Sequence, residues 1–436
     1  MELLTDDAVL EVAKSAAGDD VEVLQWHTES FAANFCLMRS LQISIKKDNH
    51  PSTLNFMVKH TSGDSDIFTA YRQRAFNKEI FFYQTLAPLL NEELEKAGAE
   101  PLNVPKCYYA SSTADAALLV LEDLRSRGFR SSKFLVDVPH ATLLVREAAK
   151  LHAASLLLAQ RDPQPLNERF PLLVESWTLG KEHRTPFETY VHVGTTVMAE
   201  QFCTSDHLRE LRQWLERVAP HSLQLLMRQL ELMPHAAVIT HADLHTRNVL
   251  FRYDDAGNPV EVVLLDLQVV RVASPIADLS YFTHMCILPA QRTSVLPQTL
   301  DAYHDTLRSL LDKTSVPLPF TRAQLEDEMT TSRLGLLYTI LLLPVAVKAI
   351  NAGSFKKEKE NEEETSSEGT EGKHGEQDAG AEADEANESM TEITNRGHLE
   401  EIRELLVETA EYAFSLKVHE EFADFEAHLW REEVKM

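Results

Sequence analysis

The sequence predicts a two-lobed α+β fold, with a small β-rich N-terminal lobe holding one important helix and a larger, mainly α-helical C-terminal lobe. Three observations predict it. At 436 residues the chain has enough apolar material for two cores meeting at a cleft. Short apolar and β-branched runs fill the first ~125 residues, and helical spacing dominates from about Val138 onward. A strand-rich island, Ala237 to Val270, then interrupts the helices.

The opening segment, MELLTDDAVLEVAKSAAG, begins acidic and lacks both a basic and an apolar leader region, so it reads as a surface helix and not a secretory signal. Val21 to His27, Phe35 to Ile45 and Leu54 to His60 have strand patterns. The period then changes. Arg74 to Leu90 places Phe76, Ile80, Tyr83 and Leu86 at three- and four-residue steps, which predicts an amphipathic helix. Two further strands are expected at Lys106 to Ala110 and Ala117 to Leu121.

Helices are predicted over Val138 to Gln160, Ser205 to Leu232, Leu296 to Lys313 and Ala323 to Ile350, with Pro139 accommodated in a first turn. Within the island, two apolar stretches flank DDAGNP, Asp254 to Pro259, whose Gly and Asn tolerate the left-handed backbone of a hairpin turn. The most apolar run, Leu334 to Val347, contains Pro344 and falls short of the roughly 20 residues that span a bilayer, so it reads as a buried core helix. Residues 352–396 are rich in Glu, Ser, Thr, Gly and Ala and nearly lack large apolar groups, which predicts a flexible acidic insertion. Helical periodicity returns from Leu399 to Leu416. The expected units are therefore a nucleotide lobe at 1–124, a catalytic lobe at 125–351, the insertion at 352–396, and helices completing the second lobe at 397–436.

A formal charge of −26, with no basic arm or stripe, argues against nucleic-acid binding, which requires Lys and Arg to neutralise phosphates. Part of that charge is local, since Lys356 to Glu388 holds 13 acidic against 4 basic residues. The 4 cysteines are widely separated and form no CxxC pair, so neither a zinc site nor a disulfide framework is suggested. A reducing compartment, no spanning segment and no leader together predict a cytoplasmic protein, and no obligate protein partner is indicated.

The stretch Val238 to Asp278 carries the chemistry. Phosphoryl transfer needs a group that orients or deprotonates an acceptor hydroxyl, and oxygen ligands for a Mg2+ bridging the phosphates. Asp243 and Asn248 sit in a loop just before the strand Val249 to Tyr253, and the strand Val262 to Leu265 delivers Asp266 across the hairpin. Three oxygen-bearing side chains thus reach one hairpin edge, a platform for Mg2+ and substrate. Singly, Asp243 could cap a turn and Asp266 end a strand; the HxDLxxxN spacing makes the joint reading the better one.

HADLHTRN followed by LLDLQ resembles the catalytic and metal loops of the aminoglycoside phosphotransferase and choline kinase group, within the protein kinase-like fold. More narrowly, LEDLRSRGF at 121–129, KLHAAS at 150–155 and SPIADLSYF at 274–282 resemble the ecdysteroid kinase-like family. The resemblance implies a small-molecule kinase using ATP and Mg2+, with a hydroxyl of a steroid, a choline-like alcohol or a foreign compound as acceptor. It implies that Asp243 is the catalytic base or hydroxyl-orienting residue, that His241 holds the loop, and that Asn248 and Asp266 bind the metal. Asp278 would anchor the loop backbone. Lys59 in NFMVKH and Glu79 in FNKEIFFY resemble the strand lysine and helix glutamate that grip nucleotide in kinase folds. LVLEDL at 119–124 would be the hinge strand, where Glu122 either contacts nucleotide or finishes the strand. His152 is expected in interlobe packing and His245 at the solvent edge.

The chain departs from the pattern where a phosphate-covering turn should hold glycine, because close backbone approach excludes a Cβ. The candidate turn, Thr28 to Asn34, has none, leaving Ser30 and Asn34 as side-chain donors. Ala242 stands where the family usually has Gly, His245 where it commonly has Trp, and Leu267 where an aromatic is usual. The glycine-free turn and the acidic insertion support a second reading, a catalytically weak nucleotide-binding or scaffold protein. Trp177 and Tyr190 are candidate pocket aromatics, though buried core is the commoner fate of such residues.

Overall fold

The computed structural model describes residues 4–31, 37–61, 69–113, 116–231, 236–345 and 399–422. The acidic insertion, Asn34 and the end of the helix expected at Ala323 to Ile350 lie outside the described residues.

Helix α1 (Asp6–Ala17) is capped by the Thr5 side chain, which accepts from the Ala8 amide. Strands β1 (Glu22–Phe31), β2 (Leu37–Lys47), β3 (His50–His60), β4 (Cys107–Ser112) and β5 (Ala117–Glu122) form one antiparallel sheet in the order β1-β2-β3-β5-β4. Helix α2 (Thr69–Phe81) runs through a single wide π-turn, Phe82–Leu86, into α3 (Ala87–Lys96). Alternation along β5 explains its unbroken apolar run. Leu118 and Val120 pack with Val9, Val12 and Ala13 of α1, whereas Leu119 and Leu121 join Phe76, Ile80 and Leu86 on the other face. The turn expected from Thr28 begins later, because Thr28 to Phe31 continue β1 in register with Leu41 to Met38.

Strand β6 (Phe129–Arg130) and α4 (Val138–Gln160) open the second lobe; Asp137 caps α4 by accepting from the His140 amide. A short turn of helix, α5 (Leu166–Arg169), precedes α6 (Lys181–Val197). The single helix expected over Ser205 to Leu232 is divided into α7 (Arg209–Val218) and α8 (Ser222–Glu231) around Pro220, which has no N–H to continue the ladder. Strands β7 (Val238–Thr240), β8 (Val249–Tyr253), β9 (Pro259–Leu264) and β10 (Arg271–Ala273) form the island, with β8 between β6 and β9, and β7 paired with β10. The hairpin turn closes as expected: Asp254 accepts from the amides of Ala256 and Asn258, and Gly257 takes φ 84°.

Helices α9 (Pro275–Cys286), α10 (Pro289–Leu311), α11 (Arg322–Thr331) and α12 (Leu334–Leu341) complete the centre, and α9 and α12 are buried along their whole lengths. The helix expected from Ala323 is broken at Ser332 and Arg333, where Ser332 turns extended. Gly194 of α6 lies so close to α12 that a Cβ would stand 1.8 Å from the Leu341 carbonyl oxygen, so only glycine permits this approach. A helix over 399–415, α13, and α14 (Val418–Glu421) pack on the same core through Ile402, Leu405 and Leu406, and Glu401 accepts from the Phe134 and Leu135 amides.

Candidate active site

The loop from β7 to β8 hangs on one buried carboxylate. Asp278, in the first turn of α9, accepts from the backbone amides of His241 and Ala242 at 2.7 and 2.8 Å. His152 Nε2 lies 3.1 Å from the same carboxylate, and its Nδ1 is 2.8 Å from the Tyr303 hydroxyl. Burial by itself would raise the Asp278 pKa, but the His152 hydrogen bond and nearby His241 outweigh it and hold the carboxyl below its usual range. His152 therefore stands beneath this loop inside the second lobe, not between the lobes, because its partners are Asp278 and Tyr303. Ala242 adopts φ 67°, the left-handed backbone that glycine takes without strain.

Both oxygens of Asp243 are engaged. Oδ1 accepts from Tyr281 OH at 2.7 Å and faces His245 Nε2 at 3.4 Å, while Oδ2 accepts from Asn248 Nδ2 at 2.8 Å. Burial pushes the Asp243 pKa up, yet His245 and the Tyr281 hydrogen bond more than reverse this and hold the carboxyl well below the usual carboxylate range. His245 thus faces the carboxylate and is only 16% exposed, so it is not a solvent-edge residue. His241 Nε2 lies 2.8 Å from the Leu265 carbonyl, and the Leu265 amide donates to the Asn248 carbonyl at 2.9 Å.

That lacing sets Asp266 beside the loop. Asp266 takes φ 59°, ψ 53°, which turns its side chain out of line with β9 toward the first lobe. Its Oδ1 is 2.5 Å from Lys59 Nζ, its Oδ2 accepts from Gln268 at 3.0 Å, and Lys59 also donates to Glu79 at 2.6 Å. Burial is the largest influence on Glu79 and raises its pKa, with Lys59 opposing. A series of contacts therefore runs from Tyr281 through Asp243 and Asn248 to the backbone of Leu265, and from its neighbour Asp266 on to Lys59 and Glu79.

The donor chemistry at this edge suits Mg2+. With its amide nitrogen on Asp243, Asn248 retains a carbonyl oxygen, and Asp266 adds a carboxylate on the adjoining backbone. Asn248 and Asp266 would hold a hard divalent cation through these two oxygen donors. Among the described residues there is no group of three or more His, Cys, Asp or Glu able to hold a metal.

The remaining expected nucleotide residues are less involved. Glu122 pairs with Arg127 at 3.3 Å and accepts from the Lys106 amide at 3.3 Å, tying down the end of β5. Ser30 is described by its backbone alone, paired with Arg39, and Asn34 lies outside the described residues.

Beyond Asp243 opens a cavity of about 180 Å³, walled by Tyr71, Phe76, Trp177, Tyr190, Tyr281 and Tyr338. Trp177, a core residue, and Tyr190 thus both border the cavity, and burial pushes the Tyr190 hydroxyl up to about 12. Arg271 is ion-paired with Glu175 at one side and stacks over Trp177 with its guanidinium carbon 5.2 Å from the ring centre. Sequence reasoning missed Tyr281, Gln268, Arg271 and Glu175. Tyr281 had a signal: it lies three residues after Asp278, on the same face of a helix.

The sequence pattern of the ecdysteroid kinase-like family matches residues 32–316. No curated protein sequence matches the chain. Solved structures similar to it include an ethanolamine kinase from Plasmodium vivax, with 12% identity over 79% of this chain and 78% of that one and a TM-score of 0.39. A type VIII aminoglycoside-3'-phosphotransferase has 15% identity over 76% and 98% of the two chains, with a TM-score of 0.35. An aminoglycoside phosphotransferase from Streptomyces rimosus, in complex with ADP and streptomycin, has 15% identity over 71% and 98%, with a TM-score of 0.31.

Proposed function

Because the chain belongs to the ecdysteroid kinase-like family and is built as a bilobal kinase-like α+β fold, we propose that it is an ATP- and Mg2+-dependent small-molecule kinase. It would move the γ-phosphate to a hydroxyl of a steroid, choline-like or foreign acceptor. The observation that carries this reading is the series of contacts joining Asp243, Asn248 and Asp266 to Lys59 and Glu79 across the two lobes.

In this reading Asp243 receives the acceptor hydroxyl. Its depressed pKa makes it a weak base, so its main work is to orient the hydroxyl and take the proton late, as suits a loose transition state. Lys59, steadied by Glu79, takes phosphate oxygens, and Asn248 with Asp266 hold the metal. Mg2+ supplies neutralisation of the charge developing on the phosphates. His241 and Asp278 fix the loop so that Asp243 needs no rearrangement. Among the described residues no helix is long and apolar enough to cross a membrane, and a cytoplasmic site of action is part of the proposal.

The test is a thermal shift with Mg2+ and ATP, compared with Asp266→Ala. The parent melts higher with Mg2+ and ATP and the variant does not. No shift in the parent favours the weak nucleotide-binding or scaffold reading, to which the glycine-free stretch from Thr28 to Asn34 lends support. An ATP-consumption screen across sterols, amino alcohols and phenols then identifies the acceptor class. Any true hit loses about 10²- to 10⁴-fold in turnover in Asp243→Asn.

A further inference from the structure

Helix α9 grips the loop that carries Asp243 at two points. Asp278 accepts from the loop's backbone amides, and three residues on, on the same face of the helix, Tyr281 donates its hydroxyl to Asp243 Oδ1 at 2.7 Å. The Tyr281 ring is itself fixed. It is buried and meets Tyr338 edge to face, with ring centres 5.1 Å apart at 84°, and the Tyr338 hydroxyl accepts from Arg271 at 2.8 Å.

A carboxylate held only through its backbone would not keep one aim, because the terminal torsion of an Asp side chain is broad and roughly two-fold. Here the hydrogen bonds set the aim. A carboxylate offers about four lone-pair sites, two on each oxygen. On Oδ1, Tyr281 takes one, and His245 Nε2 faces the other at 3.4 Å. His245 can only donate there: its Nδ1 accepts from the Arg247 amide at 3.2 Å, so the ring hydrogen sits on Nε2. It is therefore not a second base toward Asp243. On Oδ2, Asn248 takes one site, and the same amide nitrogen also donates to the Asp243 carbonyl at 3.0 Å. One site remains, on the oxygen beside Asn248, and Asp243 and Tyr281 both border the cavity.

We propose that Tyr281 is a positioning residue for phosphoryl transfer, holding Oδ1 so that the acceptor hydroxyl meets Oδ2 on the side of Asn248. This rests on the kinase reading of the site. In that step the acceptor oxygen bonds to the γ-phosphorus as the bond from that phosphorus to the β–γ bridging oxygen breaks. The bridging oxygen leaves with the electron pair as part of ADP, and the acceptor's proton passes to Oδ2 and then to solvent. Of the two groups on Oδ1, Tyr281 is the stronger: 2.7 Å is a normal length for a hydroxyl on a carboxylate, whereas 3.4 Å is long for a ring N–H. Losing the Tyr281 hydroxyl frees the carboxylate to turn, while Asp278 still holds the backbone beneath it.

Two variants of the full chain test it. Tyr281→Phe deletes the hydroxyl and keeps the ring, and His245→Asn keeps an acceptor for the Arg247 amide on a side chain too short to reach Asp243. Turnover is measured as ADP release at saturating Mg2+ and ATP, with water as the acceptor and with each compound the acceptor screen returns, beside the thermal shift with Mg2+ and ATP. Tyr281→Phe lowers kcat about 10- to 100-fold, the scale of one hydrogen bond to a charged group, with KM for ATP within about twofold and the thermal shift intact. His245→Asn lowers kcat by less than about threefold, as suits the longer contact. In crystals of the parent with Mg2+, ADP and aluminium fluoride, the in-line water lies nearer Oδ2 than Oδ1. An unchanged kcat in Tyr281→Phe, a thermal shift lost in that variant, a larger loss in His245→Asn, or a water nearer Oδ1 overturns the inference and leaves the kinase reading standing on the parent's turnover. A parent that releases no ADP with water or with any compound of the screen removes the kinase reading, and this inference with it.

Discussion

The loop edge around Asp243 and the cavity wall around Arg271 lie side by side and are built on opposite terms. At the edge, Asp243, Asn248 and Asp278 each have hydrogen bonds in place before any ligand arrives. At the wall, Arg271 holds a buried Nε without a partner among the described residues, and behind it on helix α2 Arg74 does the same, with Lys78 buried on the same helix face. The difference separates two duties. A part that must keep its geometry is internally satisfied, whereas a part that must receive something leaves interactions unmade. Substitutions should then behave oppositely in the two regions, with loss at the edge and tolerance or gain at the wall.

The largest effect is expected where the edge meets the first lobe. Lys59→Met leaves Glu79 buried opposite Asp266 with no cation between them. Breaking a buried pair in this way costs about 3–5 kcal/mol. Chemical denaturation should show that loss, and Mg2+ with ATP should no longer raise the melting temperature. A variant as stable as the parent would mean that the series of contacts across the lobes contributes nothing.

The two regions also differ in how far they could be read from the sequence. The edge lies within one continuous stretch, Val238 to Asp278, so its spacing shows in the sequence itself. The wall is assembled from Tyr71, Glu175, Trp177, Tyr190, Arg271 and Tyr338, on separate elements whose proximity is a product of tertiary packing. Local structure follows the same rule. Helix α4 was legible to its ends because Asp137 caps it and Pro139 fits its first turn. Helix α6 was not, since Pro186 and Gly194 disturb its pattern, and Gly194 is explained only by the approach of α12. His152 and His245 were misplaced for a related reason: their partners, Tyr303 and Asp243, are chosen by the fold.

A second test of the edge is Asp278→Asn. The amide offers one acceptor where two backbone N–H groups, of His241 and Ala242, need acceptance, and its NH2 opposes one of them. The expected loss near neutral pH is about 2–3 kcal/mol. Because the folded carboxyl is held below its unfolded value, its contribution is present above about pH 4 and fades as pH falls through the folded value. The gap between parent and variant should therefore narrow in acid. A gap that is constant with pH would show that the carboxylate's charge plays no part.

Helix α2, behind the wall, predicts the reverse sign. Lys78 is nearly fully buried, and lowering its pKa from 10.5 to about 8 costs the folded state on the order of 3 kcal/mol whenever the unfolded amine is protonated. Lys78→Met removes that cost and keeps most of the volume, so the free protein should gain about 2 kcal/mol at neutral pH. The cost is fully present below about pH 8 and vanishes above about 10.5, so the gain should shrink across that interval. Destabilisation by this variant at neutral pH would place Lys78 among the satisfied residues and erase the contrast.

The smallest effect falls on Ala242, the one strained backbone position in the loop that Asp278 supports. Its φ of 67° brings an alanine Cβ close to backbone oxygen, at a cost of about 1–2 kcal/mol, and two features keep it there: its amide donates to Asp278, and the next residue must point at the cavity. Ala242→Gly removes the strain but frees the unfolded chain, which returns about 0.4–1 kcal/mol. The balance favours glycine by roughly 0.5–1 kcal/mol, because the relief exceeds the entropy. Activity should stay within about twofold, since Asp278 and His241 continue to fix the loop and a relief of strain need not move Asp243. A clear loss of turnover without loss of stability would show instead that the alanine methyl, which borders the cavity, touches the acceptor.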